Sequence, residues 1–108
     1  GLMDLKELEN YNGMLFLYDV PKKVNIWMHR TSIPLDIIFI GKQKTIISVK
    51  EGVPFSKNLI SSDKKITAVL EIPLGCSKKL NIKEGNKLSW TLKSYYEIKN
   101  IGYFHCLY

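Results

Sequence analysis

The residues with the clearest chemical potential in this chain are crowded into one short polar turn. His29, Arg30 and Thr31 follow one another, and Asp36 comes six residues after the arginine. A histidine and a carboxylate are common partners in general acid–base catalysis. The same groups could equally bind a ligand without reacting with it. We therefore predict that, if the domain has a working site, this turn forms it.

Each of these side chains also has a structural interpretation. Asp36 is either a partly buried acid or a turn residue that accepts hydrogen bonds from backbone N–H groups, and we favour the second role. An ion pair between Asp36 and Arg30 is a third possibility, which would fix the loop without chemistry. His29 is disfavoured as a general base because no serine or cysteine nucleophile lies in a recognisable motif.

An apolar pocket beside the turn is a further candidate feature. Its lining would be Met3, Met14 and Met28 with Trp27 and Phe16, because methionine fills irregular gaps and suits variable ligands. Ordinary core packing explains the same residues and is favoured. The predicted binding residues combine the polar turn with its apolar neighbours: Met14, Trp27, Met28, Arg30, Thr31 and Asp36. The predicted ligand is a small molecule or a protein.

Length and composition indicate one domain over residues 1–108, with 45% hydrophobic and 24% charged residues. No apolar run approaches the roughly 20 residues needed to span a bilayer, so no transmembrane segment is predicted. The net charge of +6 could attract an anionic partner. However, the lysines are spread over predicted turns, and Arg30 is the single arginine, the residue type that most often reads bases and phosphates. Nucleic-acid binding is therefore disfavoured.

The two cysteines, Cys76 and Cys106, have no second cysteine or histidine at metal-binding spacing. The sequence therefore predicts no zinc site, and no other metal or cofactor is indicated. A disulfide between them is geometrically possible, but the spacing does not decide whether it forms.

The polar turn is predicted to lie between short strands. Apolar residues alternate over 23–28, which predicts a strand with one inward face. A strand at about 36–40 begins after Pro34, whose ring cannot join a ladder, and residues 45–50 return antiparallel to it as a hairpin. Residues 51–64 are predicted to be the longest loop.

The remaining predicted elements are a helix at 4–8, strands at 14–18, 65–72 and 87–92, a turn at Asp19 and Pro21, and a helical turn at 77–80 with Ser77 as its cap. Six or seven short strands with one or two short helices indicate a mainly β domain, either a β-sandwich or a partly open β-barrel.

Four motifs occur in a characteristic order: Gly1-Leu2-Met3, then Gly13-Met14-Leu15-Phe16, then Trp27-Met28 with Thr31 and Pro34-Leu35-Asp36-Ile37, and finally Val69-Leu70-Glu71 with Pro73 and Gly75. Together they resemble domain-of-unknown-function family 192, small bacterial and archaeal proteins, over about residues 1–88. The resemblance implies a compact mainly β fold. Family members often follow a secretion or lipoprotein signal, which implies a periplasmic, envelope-associated or secreted location. Without such a signal, the expected location is cytoplasmic. The resemblance implies no established activity.

Two features depart from the family pattern. His29-Arg30 stands where the family usually has Lys-Asn. Family members also generally have a strand ahead of the Gly-Leu-Met motif, whereas this sequence begins at that motif and continues past the matched region into a tail at about 94–108. Residues 101–108 are apolar, and we predict that they add to the sheet edge, giving a monomer or a strand-swapped dimer.

Two functional hypotheses follow from these observations. The first is a non-catalytic binding or accessory domain that contacts its ligand through the polar turn and the long loop. The alternative is a small hydrolase-like enzyme with Asp36 and His29 as its acid–base groups.

Overall fold

A computed structural model of the protein describes residues 13–89, and within this range the chain is mainly β, as predicted. The strands are β1 (Met14–Lys22), β2 (Asn25–Trp27), β3 (Leu35–Ile40), β4 (Ile46–Gly52), β5 (Leu59–Ser61) and β6 (Ile66–Pro73). One antiparallel sheet has the order β1-β6-β3-β4, and a second consists of β2 and β5. The sheets do not close into a barrel.

Strand β3 is the centre of the structure, because all six of its residues are buried. It pairs antiparallel with β4 on one side and with β6 on the other. The predicted hairpin between the third and fourth strands is therefore confirmed, and a short 3-10 turn, Lys42–Lys44, connects them. A central strand covered on both faces explains the unbroken apolarity of its last four residues.

Side chains of β3 alternate between two cores. The first, which we call the intersheet core, lies between the two sheets and contains these buried residues: Ile26, Met28, Ile33, Leu35, Ile37, Phe39, Ile66 and Val69. The second, the helix-side core, lies on the other face of the large sheet and contains Leu15, Ile38, Ile40, Ile46, Ala68, Leu70, Ile72 and Cys76. Period-two alternation thus assigns neighbouring residues to opposite sides of the large sheet.

Strand β1 runs further than the sequence predicted. The expected turn at Asp19 and Pro21 is wrong, because the strand continues to Lys22 through an irregularity in its pairing with β6 after Leu17. Because β1 is an edge strand, a proline there removes no necessary ladder hydrogen bond. Across this irregularity, residues 18–21 of β1 lie opposite the single residue Thr67 of β6.

Residues 51–64 were predicted to be the longest loop, which is wrong for Leu59–Ser61, where β5 lies, and for residues 51–52, which end β4. Three residues flanked by serine, lysine and asparagine give no local signal, and β5 exists because β2 pairs with it from more than thirty residues away. In the described range, the strand predicted at 87–92 is represented by a single bridge between Thr45 and Lys87. The helix predicted at 4–8 and the tail predictions lie outside the described residues.

The predicted helical turn is present as the short helix α1, Cys76–Lys79. Its N-cap is Gly75, not Ser77, and glycine has no side chain with which to cap it. Asn81 follows the helix with a left-handed φ of 57°, a conformation that asparagine tolerates better than most residues. Cys76 is not a free thiol, while its pairing with Cys106 concerns a residue outside the described range. No helix among residues 13–89 is long and apolar enough to cross a membrane.

Candidate functional site

The aromatic residue before the polar turn points away from the core. Ile26 and Met28 are buried in the intersheet core, so alternation along β2 puts Trp27 on the outer face, where it is 49% exposed. Its ring stacks on the imidazole of His29, with the centroids 4.6 Å apart and the planes 14° from parallel. The indole Nε1–H donates to the carbonyl of Lys57 at 3.2 Å. These contacts hold the Trp27 ring in one orientation at the surface.

Two more large apolar side chains are exposed on the segment that leads into β5 and on β5 itself. Leu59 lies opposite it in the β2–β5 pair and is 62% exposed. Phe55, equally exposed at 62%, comes from the segment between β4 and β5, and its N–H donates to the carbonyl of Thr31 at 3.0 Å. We call Trp27, His29, Phe55 and Leu59 the elbow surface. Exposed apolar residues that lie together commonly mark interaction sites.

Phe55 also has an unusual backbone conformation. Its φ is +60°, in the left-handed region that bulky residues rarely adopt. The Cβ atom is crowded there, which costs roughly 1–2 kcal/mol relative to an ordinary conformation. An exposed aromatic residue held in a strained conformation is typical of functional segments.

The polar turn beneath the elbow surface contains unpaired atoms. Thr31 is fully buried, and although its N–H donates to the carbonyl of Met28 at 3.1 Å, its hydroxyl has no hydrogen-bond partner in the described part of the chain. Nδ1 of His29 is likewise buried and unpaired within residues 13–89. Buried polar atoms without partners are uncommon and often lie at functional sites.

Asp36 lies on the other face of the large sheet. Its Oδ2 accepts hydrogen bonds from the N–H of Gly75 at 3.0 Å, from the N–H of Ser77 at 3.0 Å and from the hydroxyl of Ser77 at 2.7 Å. The carboxylate therefore organises the turn that begins α1. This is the backbone-binding role that the sequence favoured for Asp36.

The predicted binding residues are thus divided between two sides of the large sheet. Trp27, Met28 and Thr31 lie on the side of the intersheet core, and Met14 is partly buried against that core. Met28 is fully buried, as ordinary core packing predicts. Arg30 is exposed in the turn itself. Asp36 is separated from all of them by the sheet, since its partners surround Cys76 of the helix-side core.

Sequence reasoning did not single out Phe55 or Leu59. Their signal is weak, because each is an isolated apolar residue in a polar segment and either could be an unremarkable loop residue. Their proximity to Trp27 depends on the pairing of β5 with β2, which no local pattern reveals.

A second buried carboxylate lies in the described part of the chain. Glu71 is fully buried, and its register partners are Met14 on β1 and Ile37 on β3. Burial raises the pKa of the Tyr18 phenol, and the negative charge of Glu71 raises it further. The sequence had placed Glu71 only in a family motif.

An ion pair attaches the small sheet to the large one. Nζ of Lys50, on β4, lies 2.6 Å from Oδ2 of Asp63 and also donates to the carbonyl of Ser61 at 2.6 Å. The hydrogen bond from Lys50 is the largest cause that holds the pKa of Asp63 below its usual value, and the lysine charge adds to it. The pair is largely exposed, so its main effect is to position the end of β5, and hence Leu59, relative to the large sheet. Within residues 13–89, no group of three histidine, cysteine, aspartate or glutamate side chains is placed to hold a metal ion.

Comparison with known proteins confirms the family resemblance. The sequence matches the model of DUF192, described as "Uncharacterized ACR", over residues 1–90. The chain belongs to the DUF192 family. No curated protein matches it significantly.

Two solved structures share this DUF192 fold. A protein of unknown function from Novosphingobium aromaticivorans DSM 12444 is 38% identical with a TM-score of 0.76, and the match covers 83% of this chain and 65% of that one. A protein from Sinorhizobium meliloti 1021, proposed to be a transcription regulator, is 34% identical with a TM-score of 0.76, covering 82% of this chain and 70% of that one. The present chain thus spans about two-thirds of the length of each relative.

Proposed function

We propose that this DUF192 protein is a non-catalytic binding domain and that the elbow surface is its recognition surface. The observation that carries the proposal is the exposure of Trp27 and Leu59, 49% and 62%, at opposed positions on the outer face of β2 and β5. Tryptophan at the centre of an exposed apolar patch is typical of binding hot spots.

The chemistry of the elbow surface indicates what it would recognise. The Trp27 ring stacks one face on His29 and is otherwise half exposed, Leu59 is exposed opposite it, and Phe55 adds a further exposed apolar side chain. A ligand with one flat or apolar face, whether a small molecule or a protein side chain, complements this arrangement.

The arrangement of the candidate acid–base residues supports binding over hydrolysis. Asp36 uses one carboxylate oxygen for three hydrogen bonds to Gly75 and Ser77, on the helix side of the large sheet. His29 stacks on Trp27 on the opposite side. General acid–base catalysis requires both groups to reach one substrate, so this arrangement gives the hydrolase hypothesis no support.

Chemical-shift titration with simple probes tests the proposal. Phenol, cyclohexanol and methyl glucoside are added separately to the ¹⁵N-labelled chain, and the indole N–H signal of Trp27 is followed with the backbone amides. We expect saturable shifts at Trp27 and Leu59 for at least one probe. These shifts should disappear in Trp27→Ala and Leu59→Ser and persist in Val20→Ser, a control at a 70% exposed valine on β1. Chemical-shift changes confined to residues outside the elbow surface would contradict the proposal. Equal probe affinity for the wild type and all three variants would also contradict it.

Duplex DNA is the contrasting ligand, because the Sinorhizobium relative is proposed to be a transcription regulator and this chain has a net charge of +6. We expect no shift of the elbow amides with DNA. DNA binding that falls steeply with salt and is unchanged in Trp27→Ala would instead favour nucleic-acid binding through lysines outside the elbow surface.

A further inference from the structure

A groove of about 620 Å³ lies on the helix side of the large sheet, opposite the side that carries the elbow surface. Its volume falls within the roughly 300–1,000 Å³ typical of small-molecule sites. Strand β4 and the segment around and after α1 contribute its lining: Val49, Ser77, Lys78, Asn81, Ile82, Lys83 and Glu84. None of these residues belongs to the elbow surface.

Backbone hydrogen bonds fix the walls of the groove. The N–H of Ile82 donates to the carbonyl of Ser77 at 2.7 Å, which closes the turn after α1. Further along, the N–H of Gly85 donates to the carbonyl of Ile46 at 2.8 Å. The N–H of Ile46 donates to the carbonyl of Asn86, also at 2.8 Å. Asp36 anchors the start of the same segment through Ser77. The groove is therefore preformed, which reduces the ordering cost of binding.

The floor and the rim of the groove differ in chemistry. Val49 and Ile82 pack against the helix-side core and provide an apolar floor. Lys78 and Lys83 are exposed at the rim, and in the described part of the chain neither takes part in an ion pair. Glu84 contributes one opposing charge, so the rim has a net charge of +1.

We propose that this groove binds a small amphiphilic monoanion, with its apolar body on Val49 and Ile82 and its charged head between Lys78 and Lys83. The hydroxyl proton of Ser77 is donated to Asp36, so the neutral donor available to the head group is the side-chain amide of Asn81. Glu84 disfavours a second negative charge on the ligand, because like charges on one rim repel.

Three probes of equal chain length separate charge from apolarity: octanoate, 1-octanol and octyltrimethylammonium. Each is titrated below its micelle concentration into the ¹⁵N-labelled full chain, and the amides of Val49, Ser77 and Ile82 are followed. We expect octanoate to shift these amides saturably and to bind more tightly than the other two probes. Lys78→Gln and Lys83→Gln should each weaken octanoate about two- to fivefold, the effect of one exposed charge pair. Lys64→Gln, at an exposed lysine in the turn before β6, should leave the affinity unchanged.

Three results would overturn the inference. Equal affinity for octanoate and octanol would mean that the lysines do not favour a negatively charged ligand. Tighter binding of octyltrimethylammonium would mean that Glu84 determines the charge preference. Octanoate shifts confined to Trp27 and Leu59 would place binding at the elbow surface alone. The groove and the elbow surface have separate reporter amides, so failure of one proposal is distinguishable from failure of the other.

Discussion

Ser77 donates two hydrogen bonds to the same oxygen of Asp36, one from its hydroxyl at 2.7 Å and one from its backbone N–H at 3.0 Å. This relationship connects the most buried strand of the sheet to the start of α1. It also explains how a carboxylate is accommodated at a buried position of an otherwise apolar strand. The buried carboxylate of Asp36 accepts hydrogen bonds, and the buried donors of Ser77 have an acceptor.

Asp36→Ala should destabilise the protein by roughly 3 kcal/mol, because a charged acceptor is lost and its buried donors remain without partners. Asp36→Asn should cost less, since the amide oxygen still accepts a hydrogen bond. Ser77→Ala, which removes only the hydroxyl, should cost about 1–2 kcal/mol. Urea unfolding of the three variants measures these free energies, and a loss below about 1 kcal/mol for Asp36→Ala would show that the carboxylate is not structural.

Truncation of Trp27 and of its neighbour Met28 should lower stability by different amounts. If Trp27 were buried, Trp27→Ala would cost roughly 3–5 kcal/mol. Because it is half exposed, we expect only about 1 kcal/mol, mostly from the lost stacking on His29. Met28→Ala should cost roughly 2–5 kcal/mol, since that side chain is fully buried. Denaturant unfolding of both variants under identical conditions checks the contrast, and equal losses would contradict it.

Phe55 should be replaceable with a gain in stability. Asparagine tolerates the left-handed φ of +60° at this position better than phenylalanine does, so Phe55→Asn should raise the free energy of unfolding by about 0.5–1 kcal/mol. The same change should lower the affinity of any probe that binds the elbow surface. Thermal unfolding and probe titration of one sample measure both effects. A variant that is less stable than the wild type would mean that the Phe55 ring contributes more packing than its exposure indicates.

Gly13 should tolerate no side chain, whereas Gly52 should be less sensitive. A Cβ at Gly13 would lie 2.5 Å from the backbone oxygen of Glu71 on β6, which cannot move independently. A Cβ at Gly52 would meet the side-chain ends of Met28 and Ile37 at 2.9 and 3.0 Å, which can shift. Gly13→Ala should therefore cost about 3 kcal/mol and Gly52→Ala about 1 kcal/mol, at the two ends of the usual range for overpacking. Urea unfolding measures the loss for each variant. A larger loss for Gly52→Ala than for Gly13→Ala would be inconsistent with the close approach of Gly13 to β6.

Tyr18 should make stability decline at alkaline pH. Its pKa is raised above the usual value, first by burial and then by the charge of Glu71, so folding favours the neutral phenol. That contribution is complete below the usual tyrosine pKa, near 10, and is lost as pH rises through the raised pKa. The stability of Tyr18→Phe should therefore fall less between about pH 9 and 11. Urea unfolding at several pH values provides the measurement, and parallel profiles for wild type and variant would exclude this role.

The sequence predicts best those features that depend on neighbouring residues. The β3–β4 hairpin was found because an apolar run, a tight connection and a β-branched return are adjacent in the chain. The outward position of Trp27 also follows from its alternation with Ile26 and Met28.

Other features depend on pairings between distant residues and could not be found in this way. Strand β5 forms only because β2 provides its partner, so the opposition of Leu59 and Trp27 has no local signature. Asp36 is close to His29 in sequence, yet strand alternation places it on the opposite face from Leu35 and Ile37. Proximity along the chain was therefore a poor guide to which polar residues share a site.

The position of β6 between β1 and β3 affects how the protein can be made. Met14 pairs with Glu71 and Leu35 with Pro73, so neither β1 nor one edge of β3 has its partner until β6 has emerged from the ribosome. The β3–β4 hairpin can form earlier, because its contacts are local. Strand β1 is thus synthesised well before β6 but secured only after it, and its apolar residues are exposed to wrong partners throughout that interval.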